Sequence, residues 1–125
     1  MLKLLLIEDD DLLRGQLASG LSDAGYQVTE AGNGEEGLRL FDSISPDLVI
    51  TDIVMDEGEG IAVIIALRRA RPELPIIAMS GNPLYLEHGL KLGATEAFPK
   101  PFTMSKLLDG IARLTGQAPV KSMIG

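Results

Sequence analysis

The chain has 125 residues, 46% of them hydrophobic, which suits one domain with a core that needs no crosslinks. It contains no cysteine, which excludes a disulfide framework and thiolate metal sites. Its formal charge of −7 argues against direct binding to nucleic acid, whose affinity comes largely from Lys and Arg on phosphates.

Met1-Leu2-Lys3-Leu4-Leu5-Leu6-Ile7 is apolar but runs into Glu8-Asp9-Asp10-Asp11 too soon for a signal peptide or a membrane span. A soluble, cytoplasmic protein without membrane contact is expected. Leu2 to Ile7 reads as a strand buried on both faces. A helix follows, carried by Leu12, Leu13, Leu17 and Leu21 and stopped at Gly25. Gln27 to Ala31 is the second strand. Gly32-Asn33-Gly34 then reads as a turn and helix cap, since it lacks the spacing and acidic partner of a dinucleotide fingerprint. Gly37, Leu38 and Phe41 mark the second helix, closed by Ser45-Pro46.

Leu48 to Thr51 forms the third strand, and Ile61, Ile64, Ile65 and Leu67 the stripe of the third helix. Arg68, Arg69 and Arg71 at its end complement the helix dipole. Ile76 to Met79, Leu84 to Leu92, Thr95 to Pro99 and Met104 to Leu114 supply the last two strand–helix units. The domain is expected over residues 1–116, with 117–125 a tail or the start of a linker. Strict strand–helix alternation predicts an α/β fold. The leading topology is a doubly wound, flavodoxin-like parallel sheet in the order 2-1-3-4-5, with ligands at the carboxyl ends of strands one and three.

Polar residues converge on that edge: Glu8-Asp9-Asp10 after the first strand, Asp52 after the third, Ser80 after the fourth and Lys100 after the fifth. Adjacent strands about 4.8 Å apart bring Asp52 within roughly 5 Å of the first acidic group. At an effective dielectric of 20 such a pair repels by about 3 kcal/mol, so a cation is expected. Oxygen donors with open positions suit Mg²⁺. A carboxylate there can act as a nucleophile and form an acyl phosphate, and Asp52 is the candidate. Ser80 and Lys100 would share the charge of the transferred group. His88 lacks an imidazole or thiolate partner, and Met55, Met79 and Met104 read as packing residues.

Together these segments resemble the receiver domain of bacterial response regulators. The resemblance rests on Leu4-Leu5-Leu6-Ile7-Glu8-Asp9-Asp10, Pro46-Asp47-Leu48-Val49-Ile50-Thr51-Asp52-Ile53-Val54-Met55, Met79-Ser80-Gly81, and Gly93-Ala94 leading to Lys100-Pro101-Phe102, in that order. It implies that Asp52 accepts a phosphoryl group from a histidine kinase or phosphotransfer protein. It further implies Mg²⁺ held by Asp9, Asp52 and the Val54 backbone carbonyl, with Asp10 and Glu8 as further acid-pocket residues, and a cis Lys100–Pro101 peptide. The expected protein is a monomer or weak dimer, not a turnover enzyme, and acts on a downstream protein through its fourth and fifth helices.

Two positions depart from the family. Asp56 replaces the usual Pro and begins an acidic, Gly-containing stretch, Glu57-Gly58-Glu59-Gly60, read as a flexible loop. Ala97 stands where many members carry the aromatic switch, and strand alternation turns Phe98 to the opposite face. Asn82 is placed as in the family to influence water access and phosphoryl lifetime. Two alternatives compete: a degenerate receiver that binds its partner constitutively, and a haloacid-dehalogenase-like phosphatase using Asp9-Asp10-Asp11.

Overall fold

The computed structural model describes residues 2–54 and 59–117. In chain order it contains β1 (Lys3–Ile7), α1 (Asp11–Asp23), β2 (Gln27–Ala31), α2 (Gly34–Ile44), β3 (Leu48–Asp52), α3 (Glu59–Ala70), β4 (Ile76–Ser80), α4 (Pro83–Leu92), β5 (Glu96–Pro99) and α5 (Met104–Thr115). The strands are all parallel in the order β2-β1-β3-β4-β5, the doubly wound arrangement that the alternation predicts.

The continuous apolar runs reflect helices on both faces of the sheet. With a side-chain period of two, Leu4, Leu6, Leu48, Ile50, Ile77 and Met79 point to one face, where Leu21 of α1 and Leu107 and Ile111 of α5 cover them. Leu5, Ile7, Val49, Ile76 and Ala78 point to the other, against Phe41 of α2 and Val63, Ile64 and Leu67 of α3. Each such large side chain removed from water contributes about 1.5–3 kcal/mol. The two layers therefore fix the sheet, and the loops at its carboxyl edge are left for chemistry.

Several boundaries differ from the sequence reading. β3 runs on to Asp52 and β4 to Ser80, because Ile53 N–H donates to the Met79 carbonyl and Lys100 N–H to the Ser80 carbonyl, prolonging the ladder. The arginines at the end of α3 do more than complement its dipole. Arg68 donates to the Arg71 and Pro72 carbonyls beyond the helix and to the Gly93 carbonyl, while Arg71 donates to the Pro46 carbonyl and lies over the Phe41 ring.

The reading of Glu57-Gly58-Glu59-Gly60 as one flexible loop is corrected for its second half, since Glu59 and Gly60 open α3. Glu59 accepts from Gly34 N–H and so ties the starts of α3 and α2 together. Gly60 is buried where α3 passes over the end of β3, and an added Cβ would lie 2.1 Å from the Ile53 carbonyl oxygen. Met55, Asp56, Glu57, Gly58 and residues 118–125 of the expected tail lie outside the described residues.

Backbone cannot yield to a methyl at that distance without moving the helix away from the strand that carries Asp52. Gly60→Ala is expected to lower unfolding free energy by about 2 kcal/mol or more, read from urea denaturation midpoints.

Candidate functional site

The pleat that builds the core also builds the site. Glu8 stands opposite Asp52, one step past the last β1–β3 pair, Ile7–Thr51. Asp52 pairs with Met79, and Met79 with Phe98. Lys100, two residues beyond Phe98, continues the same face. Its stem spans the end of β4, and Nζ donates to Asp52 Oδ2 at 2.7 Å and to Glu8 Oε1 at 2.8 Å. Glu8 and Asp52 are 1% and 5% exposed, so both carboxylates are held inside the edge by one ammonium.

Asp9 completes the cluster from the solvent side. Oxygens of Glu8, Asp9 and Asp52 all lie within 4.8 Å of one another, the separation that a shared cation requires. The remaining Asp52 oxygen, Oδ1, accepts from Val54 N–H at 2.9 Å.

Asp10 plays a different part. Its N–H donates to Glu8 Oε2 and its Oδ1 accepts from Leu13 N–H, so it is the N-cap of α1. Asp11 is exposed and paired with Arg14, which leaves the Asp9-Asp10-Asp11 arrangement of the phosphatase alternative unformed. The Lys100–Pro101 peptide is cis.

Ser80 is 1% exposed and follows Ala78 and Ile76 in parity, on the face of α3 and α4 rather than that of Asp52. Its Oγ accepts from Asn82 N–H at 3.0 Å. Ala97 and Phe98 part as strand alternation predicts: Ala97 packs on the α3 side, and Phe98 packs with Phe102, edge to face, on the α5 side. His88 is exposed on α4.

Burial raises the Glu8 pKa, and the nearby Asp52 charge adds to this against the lowering contacts from Lys100 and the Asp10 N–H. Burial acts to lower that of Lys100, but the hydrogen bonds and charges of Asp52 and Glu8 outweigh it, so the ammonium is held above the usual lysine value. The sequence reading missed Arg14, which donates to the Glu8 carbonyl at 2.9 Å and pins the turn that carries the acids. Its only signal was a cation inside an acidic helix start.

A family model described as "Response regulator receiver domain" matches residues 4–112. The chain belongs to this family. As a receiver domain it is 36% identical over 108 residues to the "Response regulator MprA" of Mycolicibacterium vanbaalenii, which covers 85% of this chain and 47% of that protein. It is 34% identical over 112 residues to the "DNA-binding transcriptional regulator NtrC" of a Bradyrhizobium species, covering 88% of this chain and 23% of that protein. The receiver thus spans about half, or less, of these curated relatives.

Among solved structures, Vibrio cholerae chemotaxis protein CheY4 superposes with a TM-score of 0.84 at 30% identity, over 91% of this chain and 98% of that one. A receiver domain from Clostridium thermocellum superposes at 0.87 and 26% identity, over 100% of both chains. Receivers are phosphoacceptor signalling modules, and the matched segment carries that assignment. No helix among the described residues is long and apolar enough to cross a membrane.

Removing the ammonium leaves two buried carboxylates that repel each other and keep one backbone donor each, Asp10 N–H to Glu8 and Val54 N–H to Asp52. In EDTA at neutral pH, Lys100→Met is expected to destabilise the receiver by about 2 kcal/mol, below the range for fully buried pairs because Lys100 is partly exposed. A group whose pKa is raised in the folded state binds its proton there first, so stability rises as pH falls through the Glu8 value. Urea midpoints for the variant should therefore recover part of the loss between neutral pH and pH 5, and by more than wild type does.

Proposed function

We propose that Asp52 is the phosphoacceptor of this receiver, and that residues 1–116 form a module switched by a histidine kinase or phosphotransfer protein. The observation that carries the reading is the Lys100 ammonium bridging Glu8 and Asp52 beside Asp9, because it joins a buried nucleophile to a fixed positive charge. An Asp52 carboxylate oxygen attacks phosphorus and forms a P–O bond as the donor's P–N bond breaks, and the imidazole leaves with the electron pair. Lys100 then faces the new phosphoryl oxygens, and the Ser80 hydroxyl is the neutral donor on the opposite side.

The all-oxygen donor set of Glu8, Asp9 and Asp52 fits a hard divalent cation. Asp9 and Asp52 would hold Mg²⁺ by their side chains and Val54 by its backbone carbonyl, with Glu8 completing the acid pocket and Asp10 setting its turn. When bound, the ion neutralises charge on the transferred group. The chemistry is limited to self-phosphorylation and dephosphorylation. The acidic charge of the chain favours a protein target over nucleic acid. DNA binding is the printed description of the NtrC relative, whose other regions this chain does not span.

Intact-protein mass after incubation with acetyl phosphate and Mg²⁺ tests the reading. One phosphoryl addition is expected, absent in Asp52→Asn and in EDTA. Addition that persists in Asp52→Asn would move the acceptor elsewhere. Mg²⁺ selective for the folded state is also expected to raise the thermal midpoint above that in Na⁺ at matched ionic strength.

A further inference from the structure

Asp9 is the exposed member of the acid cluster, and its aim is set through its backbone. Two peptide planes flank its Cα. The Asp9–Asp10 plane is held by Asp10 N–H donating to Glu8 Oε2 at 3.1 Å, and the Glu8–Asp9 plane by the Glu8 carbonyl accepting from Arg14 Nη1 at 2.9 Å. Glu8 N–H is itself tied to the Ala31 carbonyl of β2. With both planes held, φ and ψ of Asp9 are held, and with them the direction in which its side chain leaves the chain.

Arg14 reaches this turn because helical side chains lean toward the N-terminus. It is the fourth residue of α1, where the helix dipole works against a cation, yet only 19% of its side chain is exposed. Two further acids hold it there. Nη2 pairs with Asp11 Oδ1 at 2.8 Å, and Nε faces Glu30 Oε1 of β2 at 3.6 Å. Gly32 leaves the guanidinium its room, since a Cβ there would stand 3.3 Å from Nη1. A planar fork anchored through Nη2 and Nε delivers Nη1 to the Glu8 carbonyl in one orientation.

We propose that Arg14 is a positioning residue for the divalent cation: by fixing the Glu8–Asp9 peptide plane it keeps the Asp9 carboxylate inside the 4.8 Å separation it shares with Glu8 and Asp52. The proposal deepens the reading of Asp9 and Asp52 as Mg²⁺ ligands and rests on it. Two effects of Arg14 on the ion have opposite signs. Its charge repels a cation, so on electrostatic grounds alone its removal should tighten Mg²⁺ binding. That repulsion is muted by Asp11 and Glu30, whose two negative charges outnumber its one. The orienting effect works the other way, and groups that orient metal ligands are worth roughly 10- to 100-fold in affinity. Orientation outweighs charge, and loss of Arg14 weakens the site.

The test is calorimetric titration of the full chain with MgCl₂ at constant ionic strength, with the amide signals of Asp9 and Asp52 followed by NMR on the same samples, which also shows whether each variant is folded. Arg14→Met, which keeps an unbranched stem and loses the fork, should raise the Mg²⁺ Kd about tenfold. Arg14→Lys, whose ammonium can still donate to the Glu8 carbonyl but lacks the fork, should recover part of that loss. Half-saturating Mg²⁺ for phosphoryl gain from acetyl phosphate should rise with the Kd. Unchanged or tighter Mg²⁺ binding in folded Arg14→Met overturns the proposal. Should that variant fail to fold, Arg14→Lys carries the test, with a Kd about threefold above wild type expected and an unchanged one overturning the proposal. Wild type that binds no Mg²⁺ overturns the metal reading and the proposal with it, whereas Mg²⁺ binding without phosphoryl gain overturns the Asp52 acceptor reading alone and leaves the Kd comparison standing.

Discussion

The interaction on which this edge of the molecule depends is the double hydrogen bond from one lysine to two buried carboxylates. At an effective dielectric of 20, the attractions of Lys100 Nζ to Asp52 and Glu8, each under 3 Å, are worth about 6 kcal/mol apiece before desolvation. The mutual repulsions of the Glu8, Asp9 and Asp52 carboxylates, with oxygens inside 4.8 Å, are worth about 3.5 kcal/mol each or somewhat more. The two sets roughly offset each other, and burial still weighs against charge, which is why Glu8 holds its proton more readily than a free glutamate. The cluster retains a formal excess of two negative charges. Such a site is stable enough to fold and still complementary to a divalent cation.

The scaffold tolerates this because its apolar layers settle every strand's register independently. A slip of one residue would send Leu4, Leu6, Leu48 and Ile50 to the wrong layer, so the row from Glu8 through Asp52 is fixed by hydrophobic packing well below it. Gly60 serves the same end from the helix side. By letting α3 pass over the Ile53 carbonyl, it keeps the first turn of that helix close to the strand that carries Asp52.

Much of this was legible in the sequence, and the failures have definite causes. Continuous apolar runs with helical stripes between them gave the topology, and the residues ending the strands gave Asp52, Ser80 and Lys100, because register follows from periodicity. Periodicity does not say which of three consecutive acids turns inward. Asp9 enters the cluster and Asp10 caps α1, a choice made by the local backbone of the turn. Nor does it give the reach of a long side chain: Lys100 spans the gap to Asp52 and finds Glu8 as well. Glu59-Gly60 looked like loop because glycine beside acid is usually turn chemistry, and only the close approach of two backbones explains a glycine inside the first turn of a helix.

Unequal packing of the helices gives this arrangement a direction. α1, α3 and α5 each bury two or three large apolar side chains against the sheet, whereas α4 buries a single glycine and keeps its apolar residues largely toward solvent. An element that moves during signalling must come from the low-stability end of the structure, since a small electrostatic change cannot lift a helix anchored by several buried leucines. The parity of β4 puts Ser80 on the side of that helix, and the parity of β5 puts Phe98 away from it. With Ala97 too short to reach across, the contact through the Asn82 cap is the polar route from the acidic edge to α4 among the described residues.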